Sequence, residues 1–451
     1  VGIKFANQAA GTLASAITSG ATTITLTAGH GARFPALVNR GDYFLATLAN
    51  ASGYEIVLCV ARAGDVLTVF RGQEGTAPMA FNAGDLCDNR MTAGTMLDLS
   101  SVATGSKNKV RNGKMLIKQR GSTFAAAGNG YCFDGWRLDK AGTASVTISD
   151  PGSVATYDFQ SGLMVTVNTA QAVLGANDFG VLWQPIEGYL VRDLIGNPIA
   201  ISFEVSTSKP GTYGVAIRNR GSGTPDRSYV CNYTVNAANT GQVVTVPIPV
   251  GLTQAGSWNF TNGVGLDILF CLAAGTSKQG ASYGSWLTGD FFAGPGQVNV
   301  FDTVNAYWAV TGVQLERNLV ASQFEHLDPV LEMMRNLRYF ERRSVGVSGI
   351  SNERMTTTGF ANGSGTAQFP IQHLVVKRAP PSSVTFNNVS GLSVYDGAGV
   401  TNVSSLALDN AGLFVTNVTA SLSGMTLGRA CHLTWNNTAG VFPSIDISSE
   451  L

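Results

Sequence analysis

The sequence predicts a mainly β chain: a small N-terminal β domain, a central β-sandwich, a short connecting helix and a C-terminal β-sandwich domain. Three observations lead there. Glycine supplies 53 of 451 residues, about 12% against the ~7% usual in soluble proteins, and it takes the positive φ of tight turns without steric cost. Charged residues make up 13%, where roughly 25% is usual, so hydroxyls, amides and glycine must cover much of the exterior. Short runs alternating apolar with polar residues recur between turn signals, which is the period-2 pattern of half-buried strands.

Residues 1–100 read as a compact β module. The run 22–27 (TTITLT) sets Ile24 and Leu26 against threonines, and 43–48, 54–62 and 66–70 supply three more strands. Arg40-Gly41-Asp42, Ala51-Ser52-Gly53 and Ala63-Gly64-Asp65 separate them as turns. Residues 101–110 are small and polar, a linker composition. The central domain, 101–326, has strand patterns at 144–148, 164–168, 200–207, 214–218, 243–248, 266–273 and 307–315, with no helical period between them. In the last of these, Trp308, Val310 and Gly312 fall on one side and Ala309, Thr311 and Val313 on the other.

The connecting helix is placed within 327–343. Asp328 can cap the free N–H groups of the first turn, and Pro329 suits the first helical position. Apolar Leu331, Met334, Leu337 and Phe340 recur at offsets of three, and Arg335, Arg338, Arg342 and Arg343 gather toward the C-terminal half. Such a helix either caps the sandwich or packs about a symmetry axis. In the final region, 344–451, strands are expected at 367–369, 374–377, 383–387, 406–409, 413–421 and 430–435.

Several function classes lose support from composition. With 29 basic and 29 acidic side chains the formal charge is zero, whereas phosphate-driven nucleic-acid binding calls for a basic excess. No run of 18 apolar residues and no signal-peptide pattern is present, so no membrane insertion is expected; Val1 in place of Met leaves room for a processed or omitted leading segment. Cys59, Cys87, Cys132, Cys231, Cys271 and Cys431 show no CxxC spacing and sit in apolar runs, which predicts buried free thiols made in a reducing cytoplasm.

Catalytic motifs are thin. Gly280-Ala281-Ser282-Tyr283-Gly284 matches G-x-S-x-G, but no apolar strand precedes it and no helical period follows, so a glycine-rich loop is expected. His30, His326, His373 and His432 lie far apart and lack metal-ligand spacing. Neither a cofactor nor a metal is predicted, and the chain is read as a non-enzyme. The sequons at Asn388, Asn402 and Asn417 are read as turn and strand chemistry. Aromatic residues in polar loops, Trp258, Tyr283 and Trp286, are the candidate glycan contacts, since sugar rings stack on aromatic faces while polar groups take the hydroxyls. Trp136, Trp183 and Trp308 fall in apolar lines and are assigned to the core.

Four stretches also carry a family resemblance. Residues 15–100, including TTITLTAGHGARFPA and VFRGQEGTAPMAFNAGDLCDNRMTAGTM, resemble the N-terminal module of tailed-phage fibre and tail proteins. Asn112, Gly113, Gln119, Arg120, Gly121, Tyr131, Asp134 and Trp136 match the opening of a phage jelly-roll module, N-G-x-x-x-x-Q-R-G…Y…D-x-W. The line from 305 to 343, with GVQLE, ASQFE and LEMMRNLRYFERR, is similar to the junction where a carbohydrate-binding-like jelly roll passes through a helix to a distal β domain. The closing CHLTWNNTAGVFPSIDISSEL resembles the terminal hairpin of fibre tips. The resemblance is to bacteriophage tail-fibre and minor tail proteins. It implies a homotrimeric virion component synthesised in the host bacterial cytoplasm and attached through 1–100 to other tail or baseplate proteins. Its tip, 344–451, would face a bacterial surface receptor such as a glycan, pilus or outer-membrane protein. Two rival readings are a tailspike-like depolymerase or esterase and a purely structural tail component.

Overall fold

The computed structural model describes residues 3–38, 42–95, 107–125, 127–154, 159–253, 255–345, 353–436, 438 and 440–451. The chain is mainly β and divides into two compact units, 1–107 with 318–325, and 108–317 with 326–451.

The smaller unit is built on one antiparallel six-stranded sheet in the order Ala10–Thr12, Leu86–Asp88, Phe44–Asn50, Gly53–Ala63, Val66–Gln73, Thr23–Thr25. Alternation fixes its buried face: Phe44, Ala46 and Leu48 meet Val57, Cys59, Leu67 and Val69 in one core. Glu55 is fully buried, and Arg71 answers it with two hydrogen bonds of 2.6 and 2.8 Å.

In the larger unit two antiparallel sheets face each other as a sandwich. One has six strands, with Tyr307–Glu316 between Ile199–Thr207 and Leu163–Thr169. The other has seven, ordered Trp286–Thr288, Arg227–Val235, Gly211–Asn219, Val264–Ala274, Phe179–Glu187, Arg137–Ala141, Gly130–Tyr131. Their inner faces close over Trp136, Phe203, Tyr233, Phe270 and Trp308, with Phe203 and Phe270 edge to face at 4.9 Å. Strict alternation breaks within Tyr307–Glu316. Gly312 takes φ +60°, and a Cβ there would meet Phe159 at 2.6 Å. The extra residue shifts the register against Ser202–Glu204, so Val313 and Leu315 join Trp308 and Val310 on the core side, where the plain period put Val313 opposite.

Beyond the helix, Phe340–Ser344, Ser444–Ser448 and Ser383–Asn387 make a three-stranded sheet with Ser444–Ser448 in the centre. A further seven-stranded sheet runs from Val400–Asn402 to Ser405–Ala411, and both pack on the core of Phe369, Leu392, Val418, Leu433 and Ile445. The expected strand at 374–377 does not form: Leu374 is exposed, and Lys377 turns inward to pair with the fully buried Glu341 at 2.8 Å.

The helix spans Pro329–Leu337, with Asp328 accepting from the Val330 N–H at 2.8 Å. It is shorter than 327–343, because Phe340 pairs with Ser448 and so belongs to the following strand. The assumed apolar face is also split. Leu337 and Phe340 are buried, whereas Val330, Leu331 and Met334 are exposed, and the polar Glu332 and Asn336 are buried instead. Glu332 accepts the main-chain N–H of Asn112 at 2.5 Å, which turns the polar edge inward.

The opening motif, the helix line and the closing strand meet at one place. Gln119 donates to Asp134 at 2.8 Å and to the Phe340 carbonyl at 3.1 Å. Arg120 lies 3.4 Å from the Phe340 ring centroid, and Arg111 and Arg120 hold Glu450 at 2.6 and 3.1 Å. Tyr131 donates to the Leu451 carbonyl at 2.9 Å. All six cysteines are free and buried; burial pushes the Cys59 thiol up to about 12.

Candidate functional site

Of the three aromatic candidates, the structure brings two together. Trp258 and Trp286 are half-buried and stand edge to face at 5.9 Å, with Tyr229 behind Trp286 at 5.4 Å. Trp286 sits on the edge strand Trp286–Thr288, and Trp258 on the loop that follows Leu252. Main-chain carbonyls already take both indole N–H groups: Trp258 donates to Ala255 at 3.1 Å, and Trp286 to Gly251 at 3.0 Å. What remains to offer is ring surface. Phe260, partly exposed at 37%, extends the same loop.

Tyr283 lies apart from this pair. It packs on a separate apolar cluster with Val181, Trp183, Leu269 and Phe292, and its hydroxyl donates to the Pro295 carbonyl at 3.1 Å. Gly294 lets the ring approach, since a Cβ there would come within 2.7 Å of it. The G-x-S-x-G stretch is part of the loop leading to Trp286, with Ser282 paired to Ser285 at 3.2 Å.

Polar groups rim the tryptophan pair, and sequence pattern alone does not mark them. Asn219 at the end of Gly211–Asn219 bonds Asp226 and the Ser257 carbonyl, which fastens the tryptophan loop to the sheet. Asp226 also accepts the Ser257 N–H at 3.2 Å, and Arg227 donates to Thr288. The Asn219 hydrogen bond, helped by Ser257, holds the Asp226 carboxyl below the usual carboxylate range, so it is ionised at neutral pH. Gly256 is needed for this packing: it takes φ +91°, and a Cβ would fall 2.6 Å from Arg227. Half-exposed ring faces with a carboxylate, a guanidinium and a hydroxyl at the rim can seat a ligand with one apolar face and many hydroxyls.

Beside it, the outer face of the seven-stranded sandwich sheet carries a locked ion-pair array. Arg218 and Arg220 both bond Asp267, at 2.9 and 3.0 Å, and Arg218 also bonds Asp290 at 2.5 Å. Arg220 lies 4.9 Å from the Trp183 ring centroid, while the Trp183 indole donates to Asp139 at 3.0 Å. Burial pushes the Asp267 carboxyl up, against the two arginines that hold it down. Trp183 is 5% exposed and Trp136 and Trp308 are fully buried, as their apolar surroundings predict. Among the described residues, no group of three or more His, Cys, Asp or Glu comes together as a metal would need.

No family model matches the chain, and no curated protein matches it. Among solved structures the chain is similar to the enzymatically active domain of bacteriophage CBA120 tailspike protein 4, at 14% identity over 48% of this chain with a TM-score of 0.28. The match covers only 22% of that tailspike chain. TmCBM61 in complex with β-1,4-galactotriose is similar at 9% identity, over 47% of this chain and 100% of that one, with a TM-score of 0.26. The family 11 carbohydrate-binding module of Clostridium thermocellum Lic26A-Cel5E is similar at 9% identity, over 43% of this chain and 91% of that one, with a TM-score of 0.24.

Proposed function

We propose that the chain is a bacteriophage tail-fibre or baseplate-associated protein that recognises the host cell surface by holding a glycan, without cleaving it. The observation that carries this reading is the Trp258–Trp286 pair: its N–H groups are satisfied internally, its ring faces are half exposed, and Asp226, Arg227 and Thr288 lie at its rim. The four sequence resemblances supply the biological setting, with residues 1–100 as the attachment module. In this reading the protein works as a homotrimer. The exposed Val330, Leu331 and Met334 support self-association, since a lone chain gains nothing by turning a helix's apolar edge to water. Three weak sites per trimer, repeated over several fibres, give avidity without any single tight contact.

Purified, fluorescently labelled chain tests the proposal. It should adsorb to permissive cells and compete with phage adsorption, and Trp258→Ala with Trp286→Ala should abolish both effects. Absence of adsorption to any permissive cell would favour a purely structural tail role. New reducing ends or released acetate from host polysaccharide would establish the depolymerase or esterase reading instead.

A further inference from the structure

Where the strand Phe179–Glu187 ends, the turn Gly188–Leu190 and the helix Pro329–Leu337 border a cavity of about 250 Å³. Ile186 and Leu190 give it apolar walls, and Tyr189, 63% exposed, stands among its lining residues. Pockets for drug-sized ligands run to roughly 300–1,000 Å³, so this one suits a single sugar ring.

Its charge is unbalanced. Four lining cations, Lys109, Arg111, Arg335 and Arg338, meet one lining carboxylate, Glu187. Arg338 takes Glu187 with bonds of 2.7 and 3.0 Å, and Glu187 also accepts from the Tyr339 hydroxyl at 2.6 Å. Glu450 pairs with Arg111 at 2.6 Å, and Lys109 pairs at 2.9 Å with Asp193, whose side chain is 45% exposed and therefore screened by solvent. Arg335 donates to the carbonyls of Asn108 and Val110 at 3.0 and 3.3 Å, and no carboxylate pairs with it among the described residues. One guanidinium charge is thus left over beside apolar walls.

The cavity also adjoins the tryptophan pair along the chain. Tyr189 N–H donates to the Thr261 carbonyl at 2.9 Å, and Gly188 N–H to that of Gly263 at 2.8 Å, so the loop carrying Trp258 runs on into the cavity's edge.

We propose that this cavity is a subsite for a carboxylate-bearing sugar, a uronic-acid residue of the glycan whose neighbouring part lies on Trp258 and Trp286. The inference rests on the glycan reading above and adds to it the chemical class of the ligand. Arg335, with Lys109, takes the carboxylate; Tyr189 and Leu190 take the apolar side of the ring. A guanidinium suits this task because its planar fork matches a carboxylate.

Calorimetric titration of the full chain with trigalacturonate and with neutral galactotriose tests it. The acid should bind about tenfold tighter at low salt, the gain expected of one charge-assisted hydrogen bond. That preference should shrink as salt screens it. Arg335→Met should erase the preference. Tyr189→Ala, at an exposed position the fold tolerates, should weaken trigalacturonate severalfold. Equal affinities for the two sugars, or a preference that survives Arg335→Met, would overturn the subsite and leave glycan binding standing. Binding of neither sugar would overturn both.

Discussion

Replacing Glu450 by alanine should destabilise the larger unit far more than a surface ion pair would. Glu450 joins Arg111 at 2.6 Å with side chains 6% and 5% exposed, and joins Arg120 at 3.1 Å. Without the carboxylate, Arg111 keeps a 3.1 Å bond to the Pro185 carbonyl and the Tyr339 ring 3.8 Å away, but no counter-charge in a buried position. Removing one partner of a buried pair costs about 3–5 kcal/mol, against ~0–1 kcal/mol for an exposed pair. The more exposed Arg429–Asp396 pair, also in the larger unit, is the internal comparison. Urea unfolding followed by tryptophan fluorescence is the assay, because all six tryptophans lie in the larger unit. The double change Arg111→Met with Glu450→Met should recover most of the loss, since an apolar pair of similar volume is often neutral. A loss below about 1 kcal/mol in Glu450→Ala would refute the reasoning, as it would mean that water already screens the junction.

Gly180→Ala should cost about 1–3 kcal/mol by overpacking, because the added Cβ would fall 2.2 Å from the fully packed Phe301 ring, whereas Gly128→Ala, with open space around it, should stay within about 0.5 kcal/mol by the same urea assay. In the smaller unit, burial pushes the Glu55 carboxyl up, but hydrogen bonds from Arg71, Met79 and Gly72 outweigh it and leave it below its ordinary 4.5. A depressed folded value means that this carboxylate's stabilisation is complete above about pH 4.5 and is lost as pH falls through the lower folded value. Protection factors of the strands Gly53–Ala63 and Val66–Gln73, taken relative to the intrinsic exchange rate at each pH, should therefore fall on acidification, and Glu55→Gln should flatten that dependence. Leu331→Ser with Met334→Ser should convert the proposed trimer to monomer in sedimentation while leaving the melting temperature of the larger unit nearly unchanged, since both side chains are about half exposed.

The sandwich was legible wherever burial was one-sided. Leu163–Thr169 and Gln242–Ile248 alternate cleanly, and each forms close to its expected bounds. The strand Phe179–Glu187 escapes a period-2 reading because most of it is buried on both faces and because it contains Pro185. Proline is tolerated there since pairing with Arg137–Ala141 has already ended at Trp183, leaving one side of the strand an edge. The bulge at Gly312 and the inside-out helix were not legible for a shared reason. Each depends on a distant partner, Phe159 in one case and the Asn112 main chain in the other, that no local pattern announces. The same holds for the site. Loop aromatics such as Trp258 and Trp286 can be nominated from polar surroundings, but only the fold separates Tyr283 from them and adds Asp226, Arg227 and Thr288.

Glycan recognition at the tryptophan pair is tested most directly by the six indole N–H signals of protein labelled with ¹⁵N-tryptophan, followed as host surface polysaccharide is added. The signals of Trp258 and Trp286 should move in a saturable way while those of the buried Trp136 and Trp308 stay fixed. If all six signals stand still at concentrations that block phage adsorption, the tryptophan pair is not the contact and the account fails.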